Sequence, residues 1–168
     1  MAGGVSLPPR PERPWRHDWF SYEEYQVVHV SHMERLMQEG VVLRDALSFY
    51  ETFERPTGEL VAVTLKGRLQ CSDDVTVRVD KRMLVRRGVA NRHEVKTIHY
   101  QYHAWVRARP DRPRRNLLRY DTNSHRPELH AHLFDADGWE VGAQTISLEE
   151  MPTLDGFIRH VVTLASSK

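Results

Sequence analysis

Hydrophobic residues recur at helical spacing near the beginning of the chain and again near its end. The first stripe follows Ser21 and Glu24, which form a capping-box pattern, and it predicts a helix over residues 21–39. The second stripe runs from Leu154 towards the C-terminus, and Ser147 with the acidic residues after it offers a start signal for that helix.

Between the two helical stripes, apolar residues alternate with polar ones, which is typical of strands that bury one face. The alternation predicts an antiparallel sheet of about five to seven strands. The fold class is therefore α+β, with the sheet packed on an N-terminal and a C-terminal helix and its other face free to hold a polar site. The predicted strands lie at residues 43–54, 59–70, 75–80, 94–107, 116–121, 129–134 and 139–147.

The longest predicted strand has one apolar and aromatic face and one polar face that carries two histidines and an amide. If this strand pairs with the strand at 116–121, an arginine and an aspartate lie across from them within hydrogen-bonding reach. Histidine can move a proton, aspartate can orient an imidazole, and arginine can neutralise a phosphate oxygen. The residues that this pairing would bring together are His99, Gln101, His103, Arg119 and Asp121.

Six of the ten histidines lie between residues 93 and 132, and histidine suits both proton transfer and metal binding. His130 and His132 would point to the same side of a strand, a spacing that can serve one metal ion. His125 or Asp121 could supply a third ligand. The alternative interpretation is a solvated sheet face that is rich in histidine.

Length and composition fit one domain over residues 15–168, preceded by a proline-rich arm over residues 1–14 that we expect to be disordered or extended. The single Cys71 excludes an internal disulfide and fits a reducing compartment. No transmembrane run or signal-peptide stretch is evident, so we expect a cytoplasmic protein that does not bind membranes. The chain also lacks the glycine-rich, Gly-x-Ser-x-Gly, Cys-x-x-Cys and His-Glu-x-x-His motifs of several enzyme classes.

The net charge of +1 is not typical of a nucleic-acid binder that is basic throughout. The charged residues are, however, unevenly distributed along the chain. A basic block follows the longest predicted strand, and such blocks attract phosphates. A solvated surface loop is the alternative interpretation. The candidate nucleic-acid contacts are Arg107, Arg109, Arg112, Arg114 and Arg115.

Residues 59–134 carry a resemblance to a known family through the runs His99-Tyr100-Gln101-Tyr102-His103, Leu118-Arg119-Tyr120-Asp121, His125-Arg126-Pro127 and His130-Ala131-His132. This arrangement resembles the TumE-type toxins of bacterial and archaeal toxin–antitoxin pairs. Thr122 stands where the family pattern has asparagine. The resemblance implies a toxin that is partnered by an antitoxin and acts on RNA.

Three hypotheses follow. The first is a toxin-like enzyme that acts on RNA without a cofactor, with Arg119 as a phosphate contact, Asp121 as the orienter of a histidine, and an antitoxin as partner. The second is a non-catalytic binding subunit of a defence or regulatory complex, and the third is a hydrolase that holds a divalent metal ion through His130 and His132. A homodimer is compatible with all three. The candidate acids and bases of the first hypothesis are His99, His103, His125, His130 and His132.

Overall fold

The computed structural model describes Leu7, residues 18–123 and residues 126–167. Most of the predicted arm over residues 1–14 lies outside the described residues. Leu7 is partly buried and packs against the hydrophobic core. The division into an arm and one domain over residues 15–168 stays a prediction.

The first predicted helix is confirmed as α1, Tyr22–Gln38. The side chain of Ser21 accepts a hydrogen bond from the backbone N–H of Glu24 at 3.4 Å, which satisfies one of the amide groups left unpaired at a helix start. The helix buries one stripe against the sheet, formed by Tyr22, Tyr25, Met33 and Leu36.

The second helix, α2, spans Leu154–Ser166, so its predicted start at Ser147 was wrong. Ser147 caps only a short 3₁₀ turn, Leu148–Glu150. Pro152 follows this turn, and a proline disfavours the helical conformation in the residue before it. The chain therefore stays extended until Thr153, whose side chain accepts from the N–H of Gly156 at 3.1 Å and begins α2.

The described residues form nine strands in one antiparallel sheet. The strands are β1 Phe20–Ser21, β2 Val42–Asp45, β3 Ser48–Phe53, β4 Leu60–Cys71, β5 Val75–Arg87, β6 His93–Val106, β7 Arg115–Asn123, β8 Arg126–Phe134 and β9 Glu140–Ile146. The path across the sheet is β2-β4-β5-β6-β7-β8-β9, while β1 pairs with β6 and β3 pairs with β4. From β4 to β9 each strand therefore lies beside the next one in the chain.

The strand predicted at 43–54 is divided into β2 and β3, which pair with β4 on either side of Gly67. Gly67 has a φ of +150°, and a Cβ atom there would lie 2.1 Å from the carbonyl oxygen of Ala46. Only glycine permits this close approach of two backbones. The division therefore depends on one residue of the neighbouring strand.

The two helices cover one face of the sheet, and the opposite face carries the polar row of each strand. On the covered face, Val77, Tyr102, Leu118 and Ala131 are at most 2% exposed and belong to one core cluster with Phe157 of α2. The predicted α+β fold with one covered and one polar face is confirmed. No helix among the described residues is both long and apolar enough to cross a membrane.

Candidate functional site on the open face

The register of the sheet aligns the polar side chains of six strands, β4 to β9, in two rows that cross the open face. The first row carries two exposed arginines at one end, and the second carries a lysine and an aspartate at the corresponding end. Members of a row are direct cross-strand neighbours, the pairs that interact most closely on a sheet. The first row is Arg68, Arg78, His103, Arg119, His132 and Ala143; the second is Lys66, Asp80, Gln101, Asp121, His130 and Thr145.

A groove of about 400 Å³ opens where these rows cross β6, β7 and β8. It contains five of the seven side chains proposed from the sequence as catalytic candidates. The sequence therefore identified most of the groove before the strand order was known. Its lining residues are His99, Gln101, Arg119, Asp121, Thr122, His130, His132 and Ala143.

His132 lies at the centre of a network of charged groups. Its Nδ1 lies 2.8 Å from Oε1 of Glu140, and its Nε2 lies 3.2 Å from Oδ1 of Asp121. Nη2 of Arg119 approaches the same ring, at 2.9 Å from Nδ1 and 3.1 Å from Nε2. Only a doubly protonated ring can donate to both carboxylates at once. Asp121, predicted to orient a histidine, contacts His132, and its catalytic role stays a prediction.

Arg119 is held by the same two carboxylates. Its Nε lies 3.0 Å from Oδ2 of Asp121, and its Nη2 lies 3.8 Å from Oε2 of Glu140. The Nε–H is not aligned on an acceptor among the described residues, so the Asp121 contact is an ion pair without a hydrogen bond. Asp121 and Glu140 bring two carboxylates against the single guanidinium of Arg119, so a phosphate would have to compete with these carboxylates for Arg119.

His99 lies at the end of the groove nearest Thr122. The hydroxyl of Thr122 accepts a hydrogen bond from the backbone N–H of Tyr100 at 3.2 Å and lies 2.7 Å from Nδ1 of His99. Because the hydroxyl has one proton of its own, it can donate that proton to Nδ1. In that arrangement the proton of the neutral imidazole resides on Nε2.

His130 lies in the groove beside His132, with its side chain 20% exposed. The two ring centroids are 6.5 Å apart. The nearest carboxylate oxygen to its Nε2 is that of Glu128, at 3.9 Å, which is longer than a hydrogen bond. His130 is therefore held less tightly than His132.

His103 lies on the predicted face but is turned away from the groove. Its Nε2–H donates to Oδ1 of Asn116 at 3.0 Å, and its ring stacks on Phe134 and packs against Trp105. Burial lowers the pKa of His103 to about 4, and the nearby arginines act in the same direction. It is neutral at pH 7 and links β6 to Asn116, whose amide donates to the carbonyl of Gly138 at 3.3 Å.

The predicted metal site finds no support in the described part of the chain. There, no group of three or more His, Cys, Asp or Glu side chains could hold a metal ion. Both ring nitrogens of His132 face carboxylates. His125, proposed as a catalytic residue and as a third metal ligand, lies outside the described residues.

The predicted basic block folds back on the turn between β4 and β5. Nη2 of Arg107 lies 3.2 Å from Oδ1 of Asp74, and Nη2 of Arg112 lies 3.4 Å from Oδ2 of the same residue. Arg109 contacts this carboxylate as well. Three of the five predicted nucleic-acid contacts therefore share one counter-ion. The other two are Arg115, which donates to the carbonyl of Ala136 at 3.5 Å, and Arg114, whose guanidinium lies 4.2 Å from the ring centroid of Trp105.

The sequence reasoning missed the exposed cations of β4 and β5. Arg68, Arg78 and Arg82 lie on the open face, and none has a carboxylate within 4 Å among the described residues. The alternation of arginine with buried valine in β5 could have identified two of them, since it assigns both to one face. Glu140 was also missed, because its place beside His132 depends on the register of β9.

Comparison of the chain with models of protein families, with curated proteins and with solved structures found no match.

Proposed function

We propose that this protein binds RNA on the open face of the sheet and cleaves it in the groove by histidine acid–base chemistry, without a metal ion. One observation carries this proposal: His99, His130 and His132 line a single groove with Arg119 and Asp121, on a face that bears exposed arginines. Imidazoles are the side chains best suited to exchange protons near neutral pH.

The charges on the open face favour a polyanion that approaches from the side of β4 and β5. The groove centre carries two carboxylates against one arginine, so it does not attract phosphates by itself. Arg68, Arg78 and Arg82 lie exposed on the same face, on the β4 and β5 side, and Arg114 lies over the ring of Trp105. None of the four has a carboxylate within 4 Å among the described residues. Such a stripe attracts the backbone of a nucleic acid and positions it without reading its sequence.

Cleavage of RNA requires only groups that the groove holds. A base takes the proton of the ribose 2′-hydroxyl, the oxygen attacks the adjacent phosphorus, and an acid protonates the leaving 5′-oxygen. We assign these two roles to His99 and His130, whose rings are less enclosed by charged partners than that of His132. His132, held by Asp121 and Glu140, would donate to a phosphate oxygen once it releases one carboxylate.

The proposal includes a toxin of the TumE type with an antitoxin as partner. Its support is that residues from separate parts of the resembling segment meet at one groove: His99 of β6, Arg119 and Asp121 of β7, and His130 and His132 of β8. An antitoxin that covers this groove would exclude RNA from it.

A non-catalytic binding subunit is the second candidate function. The observation that favours it is the network around His132, in which Asp121 and Glu140 are already engaged by His132 and Arg119. Side chains that are paired with one another keep the surface rigid. The exposed arginines would then bind RNA or an acidic protein without cleaving it.

A cleavage assay tests the catalytic proposal. We would incubate end-labelled RNA with the wild-type protein and with His99→Ala and His130→Ala variants, in the presence of a chelator. We expect each variant to cleave at least about 100-fold more slowly. The matched control is His103→Gln, which alters a histidine of the same strand outside the groove and should retain activity.

The products separate the mechanisms. A 2′,3′-cyclic phosphate end, and no cleavage at a 2′-deoxy position, are expected of 2′-hydroxyl attack. Cleavage that stops with the chelator, or that survives both histidine substitutions, would contradict the proposal.

Binding separates the two candidate functions. We expect the double variant Arg78→Glu/Arg82→Glu to bind RNA at least about tenfold more weakly and with a shallower salt dependence, by about 0.7 per lost phosphate contact. Arg35→Glu, on the exposed side of α1, is the control for a charge reversal away from the open face. Tight binding with no cleavage would favour the binding subunit.

Growth arrest by the wild type but not by His130→Ala, on expression in a bacterial host, would support the toxin.

A further inference from the structure

A second hollow lies on the opposite side of the sheet, between α1, β5, β6 and the beginning of α2. Its volume of about 30 Å³ is room for one or two waters or a molecule of a few heavy atoms. Three tyrosines and four other ionisable side chains line it. The lining residues are Tyr25, Val28, His29, His32, Met33, Lys81, Tyr100, Tyr102, Met151, Pro152, Thr153, Leu154 and Asp155.

Lys81 brings an amine into this hollow from the covered face of β5. It is 5% exposed. Its Nζ donates a hydrogen bond to the hydroxyl of Tyr25 at 2.8 Å and lies 4.7 Å and 5.3 Å from the ring centroids of Tyr25 and Tyr100. The faces of two aromatic rings stabilise a cation at this position.

The surroundings also favour the neutral amine. Burial lowers the pKa of Lys81 to about 8, against an ordinary 10.5. At pH 7 about a tenth of the side chain is then unprotonated, compared with about one part in three thousand for an ordinary lysine. The other ionisable groups that face the hollow are His29 and His32 of α1, the tyrosines of β6, and Asp155 of α2. A desolvated lysine with access to a small space is the type that attacks carbonyl groups.

We propose that Lys81 is a covalent attachment site for a small aldehyde, which enters this hollow and forms a Schiff base with Nζ. The neutral amine attacks the carbonyl carbon, the C=O π electrons move to oxygen, and the nitrogen loses a proton while the oxygen gains one. The resulting carbinolamine takes up a further proton on its hydroxyl group. Its C–O bond then breaks, water leaves, and the nitrogen lone pair forms the C=N bond.

Tyr25 is placed to carry the proton in these steps, since its hydroxyl lies 2.8 Å from the reacting nitrogen. The product is an iminium, which carries the same positive charge as the lysine. The rings of Tyr25 and Tyr100 therefore face a cation before and after the reaction. The step consumes one neutral amine, one aldehyde and one proton and releases one water, so it needs no oxidant or reductant. It is also independent of the RNA proposal, because the hollow and the groove lie on opposite faces of the sheet.

The chain provides its own control for reactivity. Only four of its 24 Lys and Arg residues are lysines: Lys66, Lys81, Lys96 and Lys168. The side chain of Lys66 is 53% exposed and its Nζ lies 3.7 Å from Oδ2 of Asp80, so it is accessible and lies beside a carboxylate. Labelling governed by accessibility favours Lys66, whereas labelling governed by a desolvated amine beside a small hollow favours Lys81.

The test uses the full chain at pH 7 with acetaldehyde and cyanoborohydride, which reduces a Schiff base to a stable adduct. Peptide mapping by mass spectrometry then gives the rate at each lysine. We expect Lys81 to be labelled at least tenfold faster than Lys66 and Lys96. A Tyr25→Phe variant should slow labelling of Lys81 and leave that of Lys66 unchanged, and Lys81→Arg should abolish the fast adduct.

A bulky aromatic aldehyde distinguishes the hollow from transient unfolding. It should label Lys66 but not Lys81, because it exceeds the space available. The proposal is overturned if Lys81 reacts no faster than Lys66, or if Lys81 reacts equally with the small and the bulky aldehyde. The comparison of small and bulky aldehydes uses the wild-type chain alone. It therefore tests whether Lys81 reacts inside the hollow even if a variant fails to fold.

Discussion

Replacing Lys81 by methionine should make the protein more stable at neutral pH, because it removes a charge that burial disfavours. The pKa of Lys81 is about 8 in the folded chain and 10.5 as its ordinary value. By linkage, that difference corresponds to a cost of about 3 kcal/mol at pH 7, where the unfolded chain holds the lysine proton more firmly than the folded one. Loss of the hydrogen bond to Tyr25 offsets about 1 kcal/mol, so the expected gain for Lys81→Met is about 2 kcal/mol.

The sign of the pH dependence makes this prediction sharper. A basic group with a lowered folded pKa destabilises the protein most below that pKa, and the cost declines as pH rises towards 10.5. Between pH 7 and pH 9.5 the wild type should therefore recover about 2 kcal/mol relative to Lys81→Met. Using the difference between the two proteins removes the opposite contribution of Cys71, whose pKa burial raises to about 12.

Urea unfolding, followed by circular dichroism at pH 7, 8 and 9.5, measures this difference. Lys66→Met is the matched control, since Lys66 is exposed and its substitution should change stability by less than about 1 kcal/mol at every pH. A Lys81→Met protein that is less stable than the wild type at pH 7, or a difference between the two that does not change with pH, would refute the reasoning.

Three further outcomes are expected. Burial lowers the pKa of His103 to about 4 in the folded chain, so the unfolded chain takes up a proton there first as pH falls. The wild type should therefore lose up to about 2 kcal/mol of unfolding free energy between pH 6.5 and 4.5, and His103→Gln should reduce that loss. Urea unfolding at both pH values measures the difference. Gly67→Ala should cost about 3 kcal/mol or more in the same assay because its Cβ meets the backbone of Ala46, whereas Gly142→Ala, with open space around it, should change stability by less than about 1 kcal/mol. Glu140→Gln removes a negative charge from the groove, so on the proposed function it should tighten RNA binding about threefold to tenfold at low salt; unchanged or weaker binding would count against phosphates in the groove.

The hydrophobic pattern was sufficient to predict the helices, most of the strands and the polar face. Alternation assigns a side chain to one side of a sheet, and so His99, Arg119 and His132 could be grouped before their strands were known to be neighbours. The pairing of β6 with β7 was also predictable, because the proline-containing turn over residues 109–113 joins two strands that follow one another in the chain. The prediction for the second helix failed where a good N-cap, Ser147, was followed by a proline.

The sequence could not give the contacts that distinguish one histidine from another. His99 and His103 have the same place in the alternation, yet one lines the groove and the other is fixed by Asn116. Side-chain direction on a strand depends on the neighbouring strands, which the pattern does not contain. Lys81 shows the same limit: it continues the buried row of Val75, Val77 and Val79, but a lysine interrupts the apolar pattern, so the predicted strand ended at residue 80.

The position of Glu140 has a consequence for the timescale on which the groove can change. Glu140 begins β9, the last strand of the sheet, in which every residue but Ile146 is exposed. Edge strands with little buried surface open by local fluctuation far more often than the interior of a sheet. Asp121 lies on β7, an interior strand, so its contact with His132 should open less often than the contact between Glu140 and His132. Amide hydrogen exchange should therefore be fast along β9 and slow along β7, and His132 should be released from its Glu140 side first.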